Sequence, residues 1–265
     1  MADGPGGGDD AWLTRFGAIV GGYLRSAGAM SPDAGAAEFT GPIDHAFLRC
    51  GAGEARLEAM LWPAWQAVIS AADTPDDDAR TRLAELLGAI RDRGILVRPD
   101  GAECVVWDLR AHADLPVFGA QMRETWNSAP PARPAQSWAN LNAFAAQLTT
   151  AGIDFSLYAI WALREALEQD GPEIEQVLPA AVQWLRHAGP VLGSRAADGA
   201  ADALGRDQVG RLGREAGLAG HGFTIRRWDF WRRRLDDLSA AGGQVAGKAR
   251  EGLRYLDAAG GQISG

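Results

Sequence analysis

The sequence predicts an all-α fold: a single multi-helix domain of about eight to ten helices. Three observations carry that expectation. Apolar residues recur at three- and four-residue spacings in most segments. A single short region, near 95–107, has the β-branched runs of an extended chain. Ten tryptophans in 265 residues supply enough bulk to knit layers of helices together. Each aromatic ring can bury roughly 150–250 Å².

After a Gly-rich acidic start, read as a disordered tail over residues 1–10, residues 11–28 place Trp12, Phe16, Ile19, Val20, Tyr23 and Leu24 on one helical face. Gly21 and Gly22 weaken that helix. MSPDAGAAEFTGP (30–42) reads as loop. Residues 54–72 resume helical spacing, with Pro63 as a kink or restart. Residues 74–94 open with Thr74 as N-cap, Pro75 at the first helical position and three acids near the positive end of the dipole, and close at Gly94. GILVRPDGAECVVW (94–107) holds two β-branched runs around a Pro-Asp-Gly turn, which suits either a short hairpin or a loop. Residues 114–127 read as a short helix, followed by the proline-rich connector 128–136.

Residues 137–168 read as an αα-hairpin. Ser137 is a natural N-cap, Gly152 stands where a helix end needs a left-handed residue, and Asp154 caps the second helix, with Ile153 placed to staple onto Tyr158. From Phe155 to Leu163 that second helix is apolar all round, the mark of an interior helix. Residues 172–189 form a helix kinked or restarted at Pro179, and 194–222 a Gly- and Ala-rich excursion, weakly helical or mobile. Residues 223–241 make a strong amphipathic helix capped by Thr224, and a lighter helix ends the domain at 258, before a tail at 259–265. Trp62, Trp65, Trp107, Trp126, Trp138, Trp161, Trp184, Trp228 and Trp231 are expected to knit the layers.

A formal net charge of -8 argues against a dedicated nucleic-acid binder, which needs surplus Lys and Arg against phosphates. RRWDFWRRR (226–234) interleaves arginine and aromatics as a strand-binding surface would. Asp229, Asp236 and Asp237 on the same helix favour a solvated face with Trp228 and Trp231 turned inward. Cys50 and Cys104 have neither disulfide-framework nor zinc spacing, and the four histidines fall in separate segments, so no metal or cofactor is expected. GxSxG, P-loop and strand-following GxGxxG patterns are lacking. With no apolar run of membrane-spanning length and no signal-peptide pattern, the expected address is the cytoplasm and a membrane partner is not expected.

The polar groups set beside tryptophans form the candidate binding residues: Trp126; Trp138 with Asn140 and Asn142; and Trp161 with Arg164 and Glu165. Arg123 and Glu124 stand beside Trp126 and Asn127, and Arg123 and Asn127 fall away from the Phe118, Met122, Trp126 stripe. Aromatic walls with a few placed polar groups describe a small-molecule pocket, and equally a satisfied network that fixes helices in register. The stretch 137–168 reads first as the centre of the core.

LWPAW (61–65), VVWDL (105–109), LPVFGAQMRETWN (115–127), WANLNAFAAQLT (138–149), FSLYAIWALREALE (155–168), AAVQW (180–184) and GFTIRRWDFWRRRL (222–235), taken in order, resemble a large family of uncharacterised, tryptophan-rich fungal proteins known as a domain of unknown function. The resemblance covers residues 42–240 and implies an all-helical intracellular domain, with no catalytic residues to carry over. The functional expectation is a non-catalytic helical protein that binds a partner. The alternative is a small-molecule binder or cofactor-free enzyme with a pocket lined by Trp126, Trp138 and Trp161.

Overall fold

The computed structural model describes residues 7–127, 133–171 and 173–260. The chain is all-α: eleven helices among the described residues, with one two-stranded antiparallel sheet. The helices gather into two compact units, Met1–Ala129 and Pro130–Gly265.

In the first unit, α1 (Gly7–Arg25) packs along α3 (Glu54–Ala71), α2 (Pro32–Leu48) along α4 (Asp77–Asp92), and α5 (Phe118–Trp126) against α3. A file of rings runs through the core, Phe16 to Phe39 to Trp65 to Phe118, with successive centroids 5.2, 5.4 and 5.3 Å apart. The Trp65 indole N–H donates to the Pro116 carbonyl at 2.8 Å, so the largest ring in the file loses no hydrogen bond on burial.

Of residues 30–42, expected as loop, 32–42 belong to α2 (Pro32–Leu48). The Ser31 side chain accepts from the Ala34 N–H at 3.2 Å and Pro32 follows at the first helical position. Gly35, which reads as a breaker, is there for packing: a Cβ on it would stand 2.6 Å from Tyr23 Cδ2. α4 is capped by Asp76 rather than Thr74, through bonds from the Asp78 and Ala79 N–H groups. α3 runs unbroken through Pro63.

In the second unit, α8 (Ile174–Asp198) is the central element. α6 (Ala135–Thr150) and α11 (Gly243–Gly260) lie along it, α7 (Ser156–Leu167) packs on it, and α10 (Ile225–Ala240) lies on α11. α8 continues through Pro179 and Pro190 and takes in residues 194–198 of the expected excursion. Gly252 brings α11 close to its neighbours; a Cβ there would meet Val182 Cγ2 at 3.0 Å and Leu235 Cδ2 at 3.2 Å.

The αα-hairpin forms as expected around Gly152 at φ +83°. The Ser156 N–H donates to Asp154 Oδ1 at 2.9 Å, and the ring that meets Tyr158 is that of Phe155, 5.4 Å away. α6 begins two residues before Ser137. Of the expected tails, residues 7–10 open α1 and 259–260 close α11. Residues 1–6 and 261–265, and 128–132 of the connector, lie outside the described residues.

Candidate functional site

The extended region of the first unit holds the least ordinary backbone among the described residues. Val97 bridges Glu103 across the Arg98–Ala102 turn, and the regular ladder forms one turn later, between β1 (Val105–Val106) and β2 (Leu109–Arg110). Trp107 and Asp108 are the two-residue loop between them, at φ 56° and 59°. Two left-handed residues in succession make a type I′ turn, which favours Asn-Gly. An L-residue with a large side chain costs roughly 1–2 kcal/mol there. Leu115 and Val117 are also left-handed, so four of the five such non-glycine residues among the described residues fall within 107–117.

Specific contacts hold this turn. The Trp107 N–H donates to Glu54 Oε1 at 2.7 Å, and its ring meets Trp62 edge-on, centroids 6.0 Å apart at 68°. Behind it, Arg110 grips Asp114 through Nε (2.7 Å), Nη2 (2.8 Å) and its own N–H (2.8 Å). That side-chain grip, then the backbone bond, hold the Asp114 carboxyl down at about 2. Trp107 nevertheless remains 41% exposed. On α3, Ala55, Glu58, Ala59 and Trp62 follow at positions i, i+3, i+4 and i+7 and line an open groove of about 360 Å³. The Trp62 N–H points to Glu58 Oε1 at 3.4 Å. Glu54 and Glu58 have no basic partner among the described residues. An aromatic corner with two uncompensated carboxylates is thus presented to solvent.

Deeper in the same unit, buried His112 meets Asp44 Oδ1 at 2.9 Å, and Asp44 Oδ2 accepts from Thr40 (3.1 Å) and Arg93 (3.0 Å). Burial by itself would raise the Asp44 carboxyl. The bond and charge of His112, the charge of Arg93 and the Thr40 hydroxyl outweigh it, and the group ends below the ordinary carboxylate range. Cys104 is buried and its thiol pushed up to about 11, first by burial and then by the charge of Asp44, so it is no nucleophile.

In the second unit the polar centre is closed. Glu168 is fully buried at the end of α7, and Arg227 of α10 is 1% exposed. Arg227 donates through Nε to Glu168 Oε1 at 2.6 Å and through Nη2 to Oε2 at 3.2 Å. The Trp231 indole adds 2.7 Å to Oε1, and the Gly210 N–H 2.5 Å to Oε2. The remaining guanidinium hydrogens go to the carbonyls of Asp207 (2.7 Å), Gly222 (2.9 Å) and Gln208 (3.1 Å). Every donor and acceptor of the pair is matched, which is what a buried ion pair needs to hold. Gly210 is the only residue type that fits, since a Cβ there would lie 2.6 Å from Glu168 Cβ. The pair therefore clamps the 199–224 segment, with its short α9 (Arg211–Glu215), onto α7 and α10.

The residues expected to form a pocket fall in both units. Trp126 is buried in the first unit. Trp138 and Asn142 are buried in the second, where the Asn142 amide donates to the Trp138 carbonyl at 2.8 Å and accepts from the Trp184 indole at 2.7 Å, joining α6 to α8. Asn140 accepts from Gln136 at 2.9 Å. Trp161 and Arg164 reach the clamped segment, donating to the carbonyls of Arg206 (2.9 Å) and Gln208 (3.3 Å). Glu165 lies on the exposed side of α7. Trp228 and Trp231 turn inward as expected, while Arg227, read as part of a solvated face, is the buried partner of Glu168.

Glu168, Arg227 and the solvent-facing Trp107 are what sequence reasoning missed. Glu168 and Arg227 stand 59 positions apart with no local pattern to join them. For Trp107, the preceding β-branched pair Val105–Val106 signals extended chain but not the exposure of the ring that follows it. Among the described residues, no group of three or more His, Cys, Asp or Glu could hold a metal, and no helix is long and apolar enough to cross a membrane. Over residues 65–235 the sequence matches the family described as protein of unknown function (DUF3632). Neither a curated protein nor a solved structure matches the chain.

Proposed function

We propose that this chain, which belongs to this family of unknown function, is a non-catalytic protein that binds a partner through the Trp62–Trp107 corner. The carrying observation is Trp107 itself: a large aromatic residue placed in a left-handed turn, fixed there by Glu54 and Trp62, and left 41% exposed. Strained backbone that the surrounding structure over-determines is concentrated at functional sites. Leu109, Ile95 and Val97 of the same extended region are also exposed, at 39%, 45% and 45%.

The partner chemistry follows from the charges. Indole faces attract cations, and Glu54 and Glu58 stand beside them without basic partners. A lysine- or arginine-bearing segment of another protein matches that corner. A cytoplasmic setting belongs to this reading, supported by two free thiols, Cys50 exposed and Cys104 buried.

The test is calorimetric titration of the full chain with short peptides carrying lysine, arginine or trimethyl-lysine, against equally long peptides with glutamine in their place. Saturable binding by the cationic peptides, weakened by salt and lost in Trp107→Ala and Glu58→Gln, is expected. Equal heats from the glutamine peptides, or binding unchanged in Trp107→Ala, would refute the reading.

A further inference from the structure

A second, independent recognition site is carried by the clamped segment of the second unit. A half-open cavity of about 240 Å³ lies there, with Val209, Leu218 and Ala219 as apolar wall and Arg214, Gln208 and His221 as polar groups. At about 30 Å³ per water that is room for about eight waters, or an organic molecule of similar heavy-atom count.

The two charged-type groups differ from their neighbours. Three arginines lie between Gly199 and Gly222. Arg206 is gripped by Asp202 and Arg211 by Asp170 and Glu215. Arg214 has no carboxylate among the described residues; its Nη1 donates to the Val209 carbonyl at 2.5 Å, which aims the guanidinium and leaves the other donors to meet a ligand.

His221 is held from behind by Asp207, a carboxylate 1% exposed, through Nδ1 to Oδ1 at 2.9 Å. Asp207 is in turn fixed by the Asp202 N–H at 2.5 Å and by its own carbonyl on Arg227. A carboxylate accepts, so Nδ1 carries the hydrogen, and in the neutral ring Nε2 is an acceptor. A ligand that satisfies both groups brings a carboxylate for the guanidinium and a hydroxyl donor for the imidazole, with a short apolar chain for the wall. We infer that this cavity binds a small hydroxycarboxylic acid, with Arg214 on its carboxylate and His221 Nε2 on its hydroxyl. The ground for it is the juxtaposition, at one cavity, of an arginine without an acid and an imidazole whose tautomer is set by a buried aspartate.

The test follows the His221 imidazole by NMR in the full chain at pH 8. The probes are 3-hydroxybutyrate, butyrate and inorganic phosphate. Saturable shifts with 3-hydroxybutyrate are expected, about three- to tenfold tighter than with butyrate for the added hydrogen bond, and tighter than with phosphate. Arg214→Ala loses them, whereas Arg226→Ala, an exposed arginine of α10 outside the cavity, keeps them. His221→Gln, read by calorimetry, loses the preference for the hydroxyl. Butyrate or phosphate binding as tightly as 3-hydroxybutyrate, no saturation, or equal loss in Arg226→Ala would overturn the assignment.

Discussion

The Trp62–Trp107 corner and the Glu168–Arg227 clamp are built from the same materials, tryptophan and charged side chains, with opposite outcomes. In the clamp, Glu168 receives Arg227, Trp231 and the Gly210 amide, and nothing is left for a ligand. At the corner, Glu54 takes one amide and Glu58 one long indole contact, while the aromatic faces stay wet. Saturation, rather than residue type, separates a site that holds the fold from one that can hold something else.

The difference can be broken first at the clamp. Glu168→Gln leaves the buried guanidinium without its counter-charge, and breaking a buried pair costs about 3–5 kcal/mol. Equilibrium urea unfolding should show that loss, and a loss below about 1 kcal/mol would mean that water reaches the pair. A smaller effect is expected at the neutral clip between α6 and α8. Asn142→Ala strands the buried Trp184 indole N–H, at about 1–3 kcal/mol in the same assay.

Acid titration sharpens the contrast within the first unit. The Asp44 carboxyl lies below its ordinary value, so its stabilising contribution is present above the unfolded carboxylate value near 4 and lost as pH falls through the lower, folded value. Stability of the wild-type chain should therefore decline below about pH 4 more steeply than that of Asp44→Asn, as followed by circular dichroism across pH 2–6. Parallel curves would show that the His112–Arg93–Asp44 cluster does not bias folding.

The smallest change has the opposite sign. Asp108→Gly places the residue a type I′ turn prefers at a left-handed position. It should raise stability by up to about 1 kcal/mol, and a decrease would mean that the turn is not strained.

Local signals made part of this legible. Gly152 and Asp154 mark the αα-hairpin, and Thr224 marks the start of α10, where its side chain accepts the Arg227 N–H at 3.2 Å. These devices act over a few residues, so the sequence displays them. α2 was hidden because Gly35 and Pro42 look like breakers until Tyr23, brought in by α1, explains the glycine. The clamp was hidden for a related reason. Glu165 and Glu168 are alike on paper, and only the arrival of α10 and of the 199–224 segment decides which is buried. Likewise, nothing in the sequence distinguishes Trp107, on the surface, from Trp65 in the core.

The central claim is that Trp107 is held outward for recognition and not for stability, and Trp107→Ala tests it by reading unfolding and cationic-peptide binding on the same preparation. The account predicts a stability change within about 0.5 kcal/mol, as for an exposed residue, together with loss of binding. A stability loss of the size expected for a core tryptophan, about 3–5 kcal/mol, or undiminished binding, would contradict it.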